Sequence, residues 1–168
     1  KDEDALVAMM KEMEIAFDSD GHVFINQEDV STEIRQNDIS MMASNVSAFP
    51  KVRAHLVNLQ QKIAANKGYI LDGRDIGTVV LPDAEIKIFM VASVEARAKR
   101  RYKEYLDKQI EADYDVIYKD IETRDYQDTH RATSPLKKAE DALEIDTSAM
   151  SIDEVVIAIQ SYISAKLG

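Results

Sequence analysis

Hydrophobic and polar positions in the first part of the chain follow first a helical and then a strand-like pattern. Apolar residues recur at three- and four-residue intervals from Ala5 to Met13, which predicts a short helix. Two apolar segments, 14–17 and 22–25, then flank a turn that contains Gly21, as expected of a β-hairpin. The remaining predicted elements are a helical turn at 31–36 and a helix at about 38–47. We therefore expect residues 1–45 to form a compact α+β unit.

The rest of the chain alternates helical spacing with short β-branched segments. Pro50 can begin a helix and Gly68 follows its last periodic apolar residue, so one helix is predicted between them. Short apolar runs predict three strands: 68–71, 86–91 and 142–147. Helices are predicted at 94–108, at 117–128 and from 152 onward. Strands separated by helices are typical of parallel βαβ units, so the predicted fold class is α/β with a parallel sheet core.

Composition and charge narrow the function classes. The chain has 168 residues, a formal net charge of -10 and no Cys. The negative charge opposes binding along a nucleic acid polymer, although a local arginine cluster can still hold a small phosphate. Without Cys there are no disulfides and no thiolate catalysis, and no metal site made wholly of protein ligands is visible. No apolar run is long enough to span a bilayer and no signal sequence opens the chain, so we expect a cytoplasmic protein without membrane partners.

The densest polar cluster follows the first predicted strand of the sheet. Its sequence, at 72–78, is Asp-Gly-Arg-Asp-Ile-Gly-Thr. The Arg offers a planar fork to phosphate, and an Asp can accept from an exocyclic amine such as that of cytosine. Ligands of α/β sheets bind where strands end in loops, and Asp146 and Thr147 stand at another strand end, which makes them candidate cofactor contacts. The alternative is a polar turn with a structural ion pair.

Two groups of charged residues have helical spacing. Arg124, Asp128 and Arg131 would lie on one face of a continuing helix, where they could clasp a ribose and a phosphate. The alternative is a solvated, salt-bridged stripe. Four cations cluster on the helix after the second strand: Arg97, Lys99, Arg100 and Arg101. They could close over a triphosphate, or form a solvated helix face paired with Glu95 and Glu104.

A long match to one protein family begins in the polar cluster. Residues 73–84 read Gly-Arg-Asp-Ile-Gly-Thr-Val-Val-Leu-Pro-Asp-Ala, and Lys87-Ile88-Phe89 and Ala92-Ser93 follow. Further matching segments are Glu28-Asp29-Val30-Ser31, Glu33-Ile34-Arg35, Ala43-Ser44, Arg124-Asp125, Asp128, Arg131, Ser134-Pro135-Leu136 and Asp146-Thr147. Together these segments, which cover nearly the whole chain, closely resemble the bacterial cytidylate kinase family.

The resemblance implies a P-loop nucleoside monophosphate kinase fold. In that fold residues 1–45 correspond to the small insert that binds the nucleoside monophosphate. Residues 46–168 correspond to the remainder of the parallel α/β core, with a helical lid around 97–125. The implied reaction is phosphoryl transfer from ATP, with Mg²⁺, to CMP or dCMP. The implied partners are therefore CMP, dCMP and ATP, and the implied state is a monomer.

The resemblance also implies roles for individual residues. It places Ser44, Arg53 and Asp75 against cytosine, Arg124 and Asp128 against the sugar, and Arg74 and Arg131 against the phosphate. The lid residues are Arg97, Arg100 and Arg101, which would steady charge on the transferring phosphoryl group as catalytic electrophiles. Uracil would present a carbonyl oxygen to Asp75 where cytosine presents an amino group, so the resemblance predicts selectivity for CMP.

One segment of the family pattern does not occur in this sequence. The family begins with a strand and a Gly-rich loop that ends in Gly-Lys-Ser or Gly-Lys-Thr, and this loop holds most of MgATP. We therefore expect the chain to be part of a longer kinase. A competing hypothesis is that the chain as given is a catalytically inactive CMP-binding fragment. The sequence also leaves open an acidic interaction domain that binds no mononucleotide, and a kinase for UMP, AMP or shikimate.

Overall fold

The computed structural model describes residues 2–66 and 68–168, and the side chain of Asn37 lies outside this description. The chain divides into two compact units, one up to Tyr69 and one from Ile70 onward. Lys67, which the sequence placed at the end of the helix from Pro50, lies outside the described residues.

The first unit joins a small antiparallel sheet to helices. Its elements are α1 Glu3–Lys11, β1 Ile15–Phe17, β2 Val23–Ile25, β3 Glu28–Asp29, a 3-10 turn Glu33–Arg35, α2 Asn37–Ser47 and α3 Pro50–Ala64. The predicted hairpin is confirmed, because β1 pairs antiparallel with β2, and β2 in turn pairs with β3. Asn26 and Gln27 join β2 to β3 with φ angles of 48° and 71°, as a tight two-residue hairpin turn requires.

Packing and one buried hydroxyl stabilise this unit. Helices α1 and α2 both pack against α3, whose Val52 is 1% exposed. The Ser31 hydroxyl accepts from the Val23 N–H at 2.9 Å and donates to an Asp29 carboxylate oxygen. This one side chain therefore connects the first residue of β2 to the last residue of β3.

The second unit has α/β architecture. Its elements are a π-helical turn Ile76–Val80, β4 Ile88–Val91, α4 Val94–Asp107, α5 Tyr114–His130, β5 Leu143–Asp146 and α6 Ile152–Leu167. Strands β4 and β5 pair in parallel, with Ile88 opposite Leu143 and Val91 opposite Asp146. The predicted parallel sheet and α/β class are therefore confirmed.

Helix α4 is held in place at its start and along its length. The Ser93 hydroxyl caps it by accepting from the Ala96 N–H at 3.1 Å. Ala98 is completely buried and Ile117 is 7% exposed, and α4 packs closely against α5. This packing fixes which faces of the two helices meet, and so which side chains line the space beside them.

The predicted strand at 68–71 is wrong. Residues 68–71 form no regular element, and the Ile70 side chain is 99% exposed. Within the described part of the chain, the sheet of this unit consists of β4 and β5. A strand requires hydrogen bonds to a neighbour, and no described segment pairs with 68–71, so its β-branched sequence alone does not produce one. The described helices include none that is both long and apolar enough to cross a membrane.

Candidate functional site

An arginine-lined cavity of about 300 Å³ lies in the second unit. Its lining residues are Arg74, Arg97, Arg100, Arg101, Glu104, Ile121, Arg124 and Asp125. Five arginines thus face two carboxylates in a chain whose overall charge is strongly negative. A concave surface with excess positive charge attracts small anions even when the distant field of the protein repels them.

The helical spacing predicted for α4 brings its three arginines to this cavity. Arg97, Arg100 and Arg101 are three and four residues apart, so they share one face of the helix. The alternative that was left open, a helix face that is solvated and ion-paired, describes Lys99 and its neighbours on α4. Lys99 pairs with Glu95 at 2.6 Å, and Glu104 pairs with Lys108 at the same distance.

Arg97 is firmly held by both neighbouring segments. Its Nη1 donates to Asp125 Oδ1 at 2.8 Å, its Nη2 donates to the second carboxylate oxygen, and its Nε donates to the Ala92 carbonyl at 3.1 Å. The Asp125 carboxylate raises the pKa of the Arg97 guanidinium through these hydrogen bonds. Since Ala92 precedes α4 and Asp125 lies in α5, one guanidinium connects two segments of the unit.

The other arginines of the cavity have different partners. Arg100 donates to the backbone carbonyl of Thr147, and the Arg101 Nε donates to the Tyr105 hydroxyl at 3.0 Å. The Arg101 guanidinium also lies 5.5 Å from the centroid of the Tyr105 ring. The Nε of Arg124 is buried and has no hydrogen-bond partner among the described residues. Such a donor is costly to leave unsatisfied, and a ligand oxygen would satisfy it.

A second cluster of charges adjoins Arg74. Arg74 Nε donates to Asp128 Oδ2 at 2.9 Å, and Arg131 Nη1 lies 3.8 Å from Asp128 Oδ1. Arg131 Nη2 also lies 4.0 Å from Asp75 Oδ1. The two acids are strongly buried, at 1% exposure for Asp75 and 7% for Asp128. Burying a carboxylate is costly unless it is paired or hydrogen-bonded, so these four side chains form one interdependent network.

The backbone of Asp75 is bonded to the turn that follows it. Its carbonyl accepts from the N–H groups of Val79 at 2.9 Å and Val80 at 3.2 Å. Asp75 thus immediately precedes the π-helical turn and is tied to the turn's last two residues. Arg124 and Asp128 lie in α5 as predicted, but the helix ends at His130, so Arg131 follows it with extended backbone and not on a continuing helix.

The two candidate cofactor residues at the end of β5 differ in environment. Asp146 is exposed and accepts from the Ser148 N–H at 2.9 Å and from its hydroxyl at 2.6 Å, which lowers the pKa of the carboxyl. Thr147 is 4% exposed, and its hydroxyl donates to the Val91 carbonyl at 3.1 Å. Ser148 in turn accepts from the Ser93 N–H at 2.9 Å, which connects this loop to the start of α4.

The two candidate residues of the first unit lie on different helices. Ser44 is half-buried in α2, and its carbonyl accepts from the Ser47 hydroxyl at 3.1 Å. Arg53 lies near the start of α3 and is 9% exposed. Arginine side chains are rarely buried this deeply unless they are paired.

Two charged groups were not predicted from the sequence. Lys87 is buried and paired with Asp141, and its position within an apolar strand was the available signal. At the exposed hairpin turn, ligand atoms of Asp18, Asp20 and His22 lie within 4.8 Å of one another. The hydrogen bond between Asp18 and His22 lowers the pKa of the carboxyl and raises that of the imidazole. The acids around Gly21 were the sequence signal for this group.

Comparisons with known proteins agree on one family. A family model described as "Cytidylate kinase" matches residues 1–165. Similar curated proteins include the cytidylate kinases of Streptococcus pyogenes serotypes M4 and M5, each 59% identical over 138 residues. The match covers 82% of this chain and 61% of each relative, so the chain spans about three fifths of the length of the curated relatives it matches. Because the family match extends over nearly all of the sequence, the chain belongs to the cytidylate kinase family.

Proposed function

We propose that this chain supplies the nucleoside monophosphate site and the arginine-rich lid of an enzyme that phosphorylates CMP or dCMP. The reaction transfers a phosphoryl group from MgATP and gives CDP or dCDP and ADP. The observation that carries the proposal is the arginine-lined cavity of about 300 Å³ in an otherwise acidic chain. Membership in a family whose curated relatives are named cytidylate kinase supports the choice of substrate.

The lid role is proposed for the α4 arginines on chemical grounds. In phosphoryl transfer, charge is spread over the phosphoryl oxygens while donor and acceptor oxygens lie in line. Fixed guanidinium groups stabilise that charge without reorganising at the moment of reaction. Arg97 is fixed by Asp125, while Arg100 and Arg101 line the same cavity, and we assign the electrophilic role to these three.

Recognition of CMP is proposed for the network around Arg74. Arg74, whose side chain is 47% exposed, and Arg131 would bind the 5′-phosphate, because their guanidinium groups offer paired donors. Arg124 and Asp128 would contact the sugar. Asp75 would accept from the cytosine amino group. Because Asp75 is only 1% exposed, a base must displace part of the residue's present surroundings to reach it.

The enclosed position of Asp75 is also the proposed source of selectivity. A buried carboxylate that meets the O4 carbonyl of uracil has no donor to accept from, which costs about 1 to 3 kcal/mol. This difference corresponds to about a 5- to 150-fold preference for CMP. The family resemblance assigns Ser44 and Arg53 to the base, and the position of Asp146 and Thr147 at a strand end makes them candidate cofactor contacts; these assignments stay predictions. The domain division also stays a prediction, with an insert at 1–45, a core at 46–168 and a lid around 97–125.

The cavity fits phosphate and not a free cation. Its donors are guanidinium groups, which bind phosphate oxygens, and the buried Nε of Arg124 is suited to the same kind of oxygen. A magnesium ion would reach this site as part of MgATP, where it neutralises charge on the bound phosphates.

Calorimetric titration of the chain with CMP, UMP and cytidine tests the proposal. We expect CMP to bind at least about fivefold more tightly than UMP, because only cytosine can donate to Asp75. Cytidine should bind more weakly than CMP, since it lacks the phosphate that Arg74 and Arg131 would hold. Equal affinity for CMP and UMP, or the absence of binding by either, would contradict the assignment.

A further inference from the structure

A buried lysine next to the π-helical turn uses every hydrogen-bond donor of its ammonium group. The Lys87 side chain is 8% exposed, and its Nζ donates to both carboxylate oxygens of Asp141, at 2.9 and 2.8 Å, and to the Pro82 carbonyl. An ammonium group has three donors, so all three are used. Asp141 is 58% exposed, and the lysine lowers the pKa of its carboxyl through these hydrogen bonds.

The aliphatic part of the same side chain lies beside the turn. A Cβ atom added at Gly77 would lie 3.4 Å from Lys87 Cδ and 3.6 Å from Cγ, so a larger residue at this position would press against the lysine. The ammonium group itself is bonded to the carbonyl of Pro82, just beyond the end of the turn. The backbone of Lys87 also accepts from the Leu143 N–H at 3.0 Å, where β5 begins.

One end of this turn is packed, since Val80 is 1% exposed, and another side of the turn borders open space. A cavity of about 130 Å³ lies against it, lined in part by Gly73, Ile76, Gly77 and Lys87. Unfilled space leaves neighbouring groups without contacts on that side. The bonds from Lys87 to Pro82 and Asp141 constrain the chain on the side where this cavity lies.

The turn beside Lys87 is the one that directly follows Asp75 and is bonded to its carbonyl. We propose that Lys87 is a positioning residue that holds the Asp75 carboxylate in place and thereby sets selectivity for cytosine over uracil. This inference rests on the proposed function, which assigns the cytosine contact to Asp75. Selectivity depends on the position of the Asp75 carboxylate oxygen that accepts from cytosine. A displacement of this oxygen by a fraction of an ångström weakens the hydrogen bond to cytosine, and uracil, which makes no such bond, loses nothing.

The variants separate this role from a general loss of stability. Lys87→Met removes the ammonium group and keeps a long apolar side chain, while Asp141→Asn weakens the anchor at an exposed position that tolerates exchange. The matched control is Lys138→Met, because Lys138 forms a half-exposed ion pair with Glu144 at 3.1 Å in the same part of the unit. Each variant is titrated with CMP and with UMP.

The expected result is a change in selectivity and not in affinity alone. In Lys87→Met the ratio of CMP to UMP affinity should fall from its wild-type value of about fivefold or more to near one, because a displaced Asp75 no longer accepts from the cytosine amino group. Asp141→Asn should lower this ratio by a smaller factor, and Lys138→Met should leave it unchanged. A wild-type preference for CMP that survives Lys87→Met would overturn the inference and leave the proposed function standing.

Amide hydrogen exchange supplies a readout that does not depend on nucleotide. The Val79 and Val80 amides, bonded to the Asp75 carbonyl, should exchange about tenfold faster in Lys87→Met. The Thr147 amide, bonded to the Val91 carbonyl at 2.8 Å, should not change. Equal acceleration at Thr147 would show a general structural role and overturn the inference. If the wild-type chain shows no preference for CMP, the proposed function fails, and the selectivity role of Lys87 fails with it.

Discussion

Replacing Asp125 with Asn tests how the arginine cavity is held together. The substitution keeps the size of the side chain but removes the charge and one of the two acceptor oxygens that Arg97 uses. It also places an amide N–H₂ group against a guanidinium donor. We expect Arg97 to lose its fixed position between Ala92 and α5.

The magnitude follows from the exposure of the pair. A hydrogen bond to a charged group contributes about 1.5 to 3 kcal/mol when it is shielded from water. The Arg97 and Asp125 side chains are 35% and 38% exposed, so solvent screening reduces this contribution to about 1 kcal/mol. For a chain of this length, that loss lowers Tm by about 2 to 4 °C.

Thermal unfolding followed by circular dichroism measures this difference. The matched control is Glu122→Gln on the same helix, which makes the same charge change. Its partner Lys119 lies 2.8 Å away, and the two side chains are 51% and 74% exposed, so solvent screens the pair and its loss should leave Tm nearly unchanged. If Asp125→Asn unfolds at the same temperature as Glu122→Gln, Arg97 is not held by this pair and the reasoning is refuted.

Three further predictions concern pH, anion binding and helix capping. The Asp18 carboxylate raises the pKa of His22, so the pair stabilises the fold fully below pH 6.5 and loses this effect as the pH rises through the folded-state pKa. We expect an NMR titration midpoint for His22 above 6.5 that falls in Asp18→Asn. An unchanged midpoint would count against the pair. Arg101→Met should weaken binding of inorganic tripolyphosphate about tenfold by calorimetry, while Lys119→Met, outside the cavity, should not. Ser151→Ala removes the capping box of α6 and should cost about 1 kcal/mol in urea unfolding, and an unchanged midpoint would show that the cap is not stabilising.

Local sequence patterns predicted those parts of the site that lie within one element. The helical spacing of Arg97, Arg100 and Arg101 placed them on one face, and the structure brings that face to the cavity. Such predictions succeed because side chains three and four residues apart on a helix are neighbours. Arg131 lies just past the end of α5 and still comes within 3.8 Å of Asp128.

Pairings between distant segments could not be predicted in this way. Lys87 and Asp141 are 54 residues apart, and Arg97 and Asp125 are 28 apart, so no periodicity connects them. The failed strand at 68–71 has the same cause, because strand formation depends on a pairing partner and not only on β-branched residues. The π-helical turn that follows Asp75 has no simple sequence signature either.

The most direct test of the account is a crystal structure of the chain with CMP bound. The account predicts that the phosphate accepts hydrogen bonds from Arg74 and Arg131, and that the cytosine amino group donates to Asp75. CMP bound with its base away from Asp75, or with its phosphate away from both arginines, would contradict the proposed site.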